Sequence, residues 1–268
     1  MSDDRTAGPP GAVAGYDGPI GLPAPLRLAP IGNPTLLALD SAGQACSVAV
    51  WRAGALAAHR LTAMARGHGE RLLPMVAETI KAASLELAEL DAIAVTIGPG
   101  SFTGLRIGLA AARGLGLALA RPVVGITSFL AVAAALPAEL RDGREILVAL
   151  DTRREDLFLQ RFDHSLRATA SARLVTPREL IADLPARPVL LAGDGLPLLV
   201  PILPRDRDIA LAPGPGHADA AHLAALAARL LARGGDGPEG PLLLPEPFYL
   251  RAPDVKLPGG SSAGIRLP

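Results

Sequence analysis

From residue 35 onward the chain alternates short apolar blocks with turn residues. Residues 35–40 (TLLALD) form an apolar run closed by a carboxylate, 41–45 reads as a turn, and 46–51 (CSVAVW) as a second strand. A turn at 52–54 leads into 56–61, which continues the meander. The period then changes. Leu73, Val76, Ala77 and Ile80 recur at helical spacing, which predicts a helix over 70–83. Residues 92–97 (AIAVTI) predict a buried strand running into Gly98-Pro99-Gly100, followed by a long helix over 102–120, a strand over 123–126 and a helix over 128–136.

The same order then begins again. Residues 145–150 (EILVAL) predict a strand that, like the first, ends in an aspartate, Asp151. Residues 157–162 pair with it after a charged turn, 188–192 is a later strand, and 218–231 is an Ala/Leu helix stopped by Gly234-Gly235. Two rounds of strand, turn and strand followed by strand–helix alternation predict an α/β protein of two related lobes, with mixed sheets flanked by helices. Pro137, Asp142 and Gly143 break the pattern and set the boundary near 136–143. Residues 1–34 are rich in Gly and Pro, show no hydrophobic period, and read as a flexible extension. The expected organisation is an extension (1–34), a first lobe (35–138), a second lobe (139–258) and a flexible tail (259–268).

Composition narrows the function classes. The 268 residues are 50% hydrophobic with a mean hydropathy of +0.34, which excludes a mostly disordered chain. Lys plus Arg and Asp plus Glu both total 26, so a strongly basic nucleic-acid coat is not expected, while Arg66, Arg71, Arg153 and Arg154 remain candidates for local phosphate contacts. Cys46 is the single cysteine, which excludes an internal disulfide and a cysteine zinc site and reads as a small buried hydrophobe. Arg106, Arg113 and Arg121 interrupt the longest apolar stretch, and no basic-then-apolar leader opens the chain, so a cytoplasmic protein with no membrane span is expected.

Three groups of residues could carry chemistry. Asp40 and Asp151 each close the first strand of a lobe, where a two-lobed nucleotide-binding fold would hold a hydrated magnesium ion; such an aspartate also simply begins a turn. No glycine follows Asp151 to cradle phosphate: the turn reads Thr152, Arg153, Arg154, Glu155, Asp156. The segment Gly98, Pro99, Gly100, Ser101, Phe102, Thr103, Gly104 lacks the lysine of a P-loop and the spacing of a dinucleotide fingerprint, and Ser101 or Thr103 can cap the helix behind it. Along that helix Gly104, Gly108, Ala112, Gly116 and Ala120 form a stripe of small residues. Each interior glycine costs about 1 kcal/mol relative to alanine, which close approach of another helix would offset, either the chain's own 70–83 helix or one from another subunit. The five histidines, His59, His68, His164, His217 and His222, have no metal-ligand spacing, so no metal is expected.

These strings together (LLALDSAGQACSVAVW, HGERLLPMV, GPGSFTGLRIGLAAARGLGLAL, PVVGITSF and the closing EPFYLRAPDVKLP) resemble the TsaB (YeaZ) family, densely over 35–136 and more loosely over 150–258. The family is the bacterial dimerisation subunit for threonylcarbamoylation of the adenosine beside the anticodon. Gly98, Pro99, Gly100, Ser101, Thr103 and Arg106 carry the specific part of the match. The resemblance implies an actin/Hsp70-like duplicated two-lobed fold and a non-catalytic role with no cofactor. It implies activation of a catalytic paralogue, TsaD, for threonylcarbamoyl transfer to N6 of adenosine 37 in tRNAs that read ANN codons. TsaD holds metal and nucleotide through a His-x-x-x-His pair; the matching region here reads Thr127, Ser128, Phe129, Leu130, Ala131. Asp40 and Asp151 would then be vestiges of the nucleotide cleft. The interface with TsaD would be formed by Leu72, Leu73, Val76 and Ile80 of one helix and Phe102, Gly104, Leu105, Gly108, Ala112 and Gly116 of the other. An ATPase subunit, TsaE, and self-association are further partners the resemblance implies, with tRNA reached only through the complex. Two other readings are an active small-molecule kinase or ATPase of the same fold, using Asp40, Asp151 and a Gly193-Asp194-Gly195 turn, and a metallopeptidase, for which the histidines offer no ligand set.

Overall fold

The computed structural model describes residues 22–251. Strands β1 (Leu36–Asp40), β2 (Ala45–Arg52), β3 (Ala55–Ala63), β4 (Ala92–Thr96) and β5 (Val123–Ile126) form one sheet in the order β3-β2-β1-β4-β5. The β1/β2 and β2/β3 pairs are antiparallel, and β1/β4 and β4/β5 are parallel. Strands β6 (Glu145–Asp151), β7 (Leu157–Phe162), β8 (Arg173–Val175), β9 (Val189–Ala192) and β10 (Ile209–Leu211) repeat the arrangement as β8-β7-β6-β9-β10, with the same sense at every step. β6 therefore stands in its lobe where β1 stands in the other, and β9 where β4 stands. The duplicated actin/Hsp70-like fold expected from the sequence is the fold observed.

The helices are α1 (His68–Ala82), α2 (Phe102–Leu119), α3 (Ser128–Ala134), α4 (Ala138–Arg141), α5 (Pro177–Ala182), α6 (Leu196–Leu199) and α7 (Ala220–Leu231). β1 is buried along its whole length and β2 for its first six residues, so the first sheet needs cover on both faces. α1 packs on β2 and α2 on β4, side by side, while α7 packs on β1, β2 and β3 and touches α3. The pleat of β2 decides which helix meets which residue: the Oγ of Ser47 accepts a hydrogen bond from the N–H of Ala220 at the start of α7 (2.9 Å). In the second sheet the pleat splits β6 between two cores. Ile146, Val148 and Leu150 join the large core shared with α3, α7 and the first sheet. Leu147 and Ala149 join Leu180, Leu191 and Leu199 in a smaller core on the far face, beneath α5 and α6.

Two expectations are corrected here. The 218–231 helix falls in the second lobe by sequence order, yet α7 covers the first sheet. Its Leu223, Leu226, Leu230 and Leu231 are buried there, which fills the second face that β1 and β2 require. Residues 22–34 were expected within a flexible extension, but Leu26 N–H donates to Leu242 O (2.7 Å), Leu28 N–H to Gly234 O (3.1 Å) and Ile31 N–H to Leu231 O (3.0 Å). Leu26, Leu28 and Ile31 pack against the large core. Pairing with a segment some 200 positions away leaves no local period to read. The rest of the expected extension, 1–21, and the 259–268 tail lie outside the described residues.

Candidate functional site

The C-terminal ends of β1, β4, β6 and β9 converge on a cleft of about 680 Å³ between the lobes. In open α/β sheets this is where ligands bind. One wall carries Ala42, Gly43 and the Pro99–Phe102 turn, and the other Asp151–Arg154 and Asp194. The loops behind β4 and β9 share a feature: Gly98, two residues past β4, and Gly193, one past β9, both have φ of +111°. At Gly193 a Cβ would lie 2.0 Å from Ala149 O, and at Gly98 2.6 Å from Phe248 O. Only glycine fits either position.

The two strand-end aspartates differ sharply. Asp40 is fully buried and does not line the cleft. Its Oδ1 accepts from Thr96 Oγ1 (2.5 Å) and Ala42 N–H (3.3 Å), while Oδ2 is buried without a hydrogen-bond partner. Burial pushes its pKa up to about 7, against the two hydrogen bonds that lower it. Asp151 does line the cleft, but Arg153 has taken its carboxylate: Arg153 Nη1 lies 2.9 Å from Oδ2, and Arg153 N–H donates to Oδ1 (2.7 Å). Arg153 Nη2 also reaches Asp194 Oδ2 at 3.4 Å, and Asp194 Oδ1 accepts the Asp151 N–H (2.9 Å). To fold back this way Arg153 adopts φ of +63°, a conformation that costs a side-chain-bearing residue about 1 kcal/mol or more. A divalent cation with nucleotide phosphates does not fit these residues. One carboxylate is sealed away, the other is neutralised by the chain's own guanidinium, and the turn offers no glycine cradle. Among the described residues no three His, Cys, Asp or Glu side chains gather to hold a metal. Burial also pushes the Cys46 thiol up to about 11, the behaviour of a core residue.

The family motif is a structural joint. Ser101 caps α2, its Oγ accepting from Gly104 N–H (3.2 Å), and Ser101 N–H donates to Ala42 O across the turn (2.7 Å). Arg106 lies over the Phe102 ring at 3.7 Å and donates to Tyr249 Oη (3.2 Å). Thr127 caps α3, its Oγ1 accepting from Leu130 N–H (3.1 Å).

Most of the residues expected at an interface lie inside the chain. Gly104, Leu105, Gly108, Ala112 and Gly116 are buried inside the chain, and Leu72, Val76 and Ile80 lie in its core. At its glycines the stripe of small residues is met by the chain's own first sheet. A Cβ on Gly104 would lie 2.1 Å from Ser41 O, on Gly108 2.7 Å from Ser41 Oγ, and on Gly116 2.4 Å from Val123 Cγ2. Backbone and strand residues of the first sheet approach it too closely for any side chain, which is what the glycine cost obtains. Of the ten expected residues, Leu73 (54% exposed) and Phe102 (41%) are on the surface. The outer face of α2 instead presents Thr103, Ala110, Gly114 and Leu117, the last 87% exposed. Gly114 has nothing within 4 Å of where a Cβ would stand, so among the described residues no contact explains a mid-helix glycine there. A second helical stripe, offset from the first, was the signal available in the sequence for these residues. Of the arginines considered for phosphate contact, Arg71 is held by Glu78 (2.7 Å) and Arg153 by the two aspartates.

Comparison with known proteins agrees with this anatomy. The family described as "TsaD: tRNA N6-adenosine threonylcarbamoyltransferase" matches residues 62–190. The "tRNA threonylcarbamoyladenosine biosynthesis protein TsaB" of Escherichia coli is 37% identical over 46% of this chain and 52% of its own length. The protein of the same name from Haemophilus influenzae is 39% identical over 47% of this chain and 52% of its own. The chain thus spans about half the length of these curated relatives. The solved structure "YeaZ from Pseudomonas aeruginosa" superposes with a TM-score of 0.67 at 30% identity, covering 81% of this chain and 99% of that one. With 30% identity over nearly the full length of that structure, the chain belongs to the TsaB (YeaZ) family.

Proposed function

We propose that this chain is a non-catalytic subunit that docks a TsaD-like paralogue through the outer face of α1 and α2. In that role it activates the paralogue for threonylcarbamoyl transfer to N6 of adenosine 37 in tRNAs reading ANN codons. The observation that carries the reading is the exposure of Leu117 and Gly114 on α2 and of Leu73 on the neighbouring α1, apolar side chains with a glycine that a closely approaching partner would use. The self-neutralised cleft supports placing the chemistry on the partner. A TsaE-type ATPase would join the same assembly, a second copy can compete for the same face, and tRNA is reached through the complex, in the cytoplasm.

The test is to mix the purified chain with the TsaD-like protein of its own organism and weigh the product by light scattering after size exclusion. A one-to-one complex is expected for the wild type. Leu117→Glu should lose it while melting at the wild-type temperature, because the leucine has no packing to lose in the free chain. Absence of a complex under every nucleotide condition overturns the proposal.

A further inference from the structure

The closing segment of the chain, singled out by its Tyr-Leu-Arg string, touches both lobes. On the first lobe it is sewn to the edge of the sheet: Gly125 N–H donates to Leu243 O (2.8 Å), Leu243 N–H to Gly125 O (3.0 Å), and Phe248 N–H to Ile97 O (2.7 Å). Phe248 is buried, and Tyr249 packs its ring 5.4 Å from Phe102 while its hydroxyl accepts from Arg106. The segment then crosses the cleft mouth, whose walls include Tyr249, Leu250 and Arg251. On the far side Arg251 forms an ion pair with Asp156, in the turn between β6 and β7.

That turn is itself tied down. The Thr152 hydroxyl lies 2.6 Å from Asp156 Oδ1 and 2.8 Å from Asp156 O, and Arg153 ties the same turn to Asp194. Partial burial would raise the Asp156 pKa, but the Arg251 and Thr152 bonds outweigh it and hold the carboxylate below its ordinary value. Away from the mouth the lobes share one apolar core through α3 and α7. The cleft is thus held by packing at its base and by this segment at its mouth.

We infer that residues Leu242–Arg251 act as a clasp. It fixes the opening between the lobes and, through Tyr249, Phe102 and Arg106, sets the position of the first turn of α2. The clasp uses a cleft that holds no metal-binding geometry, and it operates whether or not a paralogue docks on α1 and α2. Coupling runs through contiguous contacts with two defined ends, so loosening one end should be felt at the other.

The experiment is amide hydrogen exchange on the full chain, comparing residues 98–106 on the first lobe with 151–156 on the second. Arg251→Ala should speed exchange in both segments together, by about tenfold, although its ion pair is with the second. Asp156→Asn keeps the acceptor for Thr152 and should do the same, and the double variant should go no faster than either single one. Tyr249→Phe removes the bond to Arg106 at the first-lobe end and should loosen 98–106 and, through the segment, 151–156 as well. Faster exchange confined to 151–156 in Arg251→Ala, or additive effects in the double variant, would overturn the clasp.

Discussion

Asp40 and Asp151 end equivalent strands in two lobes of one topology, yet their surroundings are opposite. Asp40 lies sealed beneath the β1–β2 turn with a bare oxygen and a pKa near 7. Asp151 stands in the cleft wall, satisfied by Arg153. The same contrast extends to the lobes around them. The first sheet is clad by helices of 15 and 18 residues, with α7 on its other face. The far face of the second has only α5 and α6, of six and four residues. One lobe grew the long helices that can present a surface, and the other kept the strands and turns that close the cleft. Repeating a fold fixes where elements lie and leaves each copy free to surround its strand-end residue differently.

The largest expected effect separates the lobes outright. A fragment covering 22–143 should not fold, because it lacks α7 and exposes the second face of β1 and β2 to water; a protease-resistant, cooperatively melting fragment would show that the lobes are independent. Within α2, Gly108→Leu should destabilise by about 3 kcal/mol or more in denaturant melts, since even a Cβ meets Ser41 Oγ at 2.7 Å.

The buried acid in the first lobe gives a pH signature. Because the folded pKa of Asp40 is raised from 3.8 to about 7, the folded state holds its proton longer than the unfolded chain does. This group therefore costs nothing below the unfolded value. It costs progressively more stability as pH climbs toward 7, and above that its full penalty of a few kcal/mol. Asp40→Asn should raise the melting temperature at pH 8 by several degrees and by much less at pH 5. An equal gain at both pH values would mean that the carboxylate is not the source. The smallest effect is Gly114→Ala, which should stabilise the free chain by about 1 kcal/mol because the site is helical and open. If it also weakens paralogue binding, the exposed glycine serves close approach.

Much of this was legible beforehand because the signals were local. The order of strands and long helices, the internal repetition and the Ser101 cap all follow from period, turn residues and capping chemistry in short windows. α5 was missed although Thr176-Pro177-Arg178-Glu179 is a capping box with proline in the first turn, a readable start signal. β8 and β10 are three residues each, too short to show a period. Eight of the ten residues expected at the interface lie buried inside the chain, which went unread for a different reason. A stripe of small residues says that something comes close and does not say whether it is a neighbouring helix, another subunit or the chain's own sheet.

The sequence alone determined the fold class, the duplication and the family motif, since each is written in neighbouring residues. Tertiary structure decided which glycine stripe of α2 faces inward, that α7 crosses to the first lobe, that Arg153 quenches Asp151 and Asp194, and that Arg251 reaches Asp156, 95 positions away. Those are pairings between distant segments, and their free energy depends on geometry and burial that exist only once the chain has closed on itself.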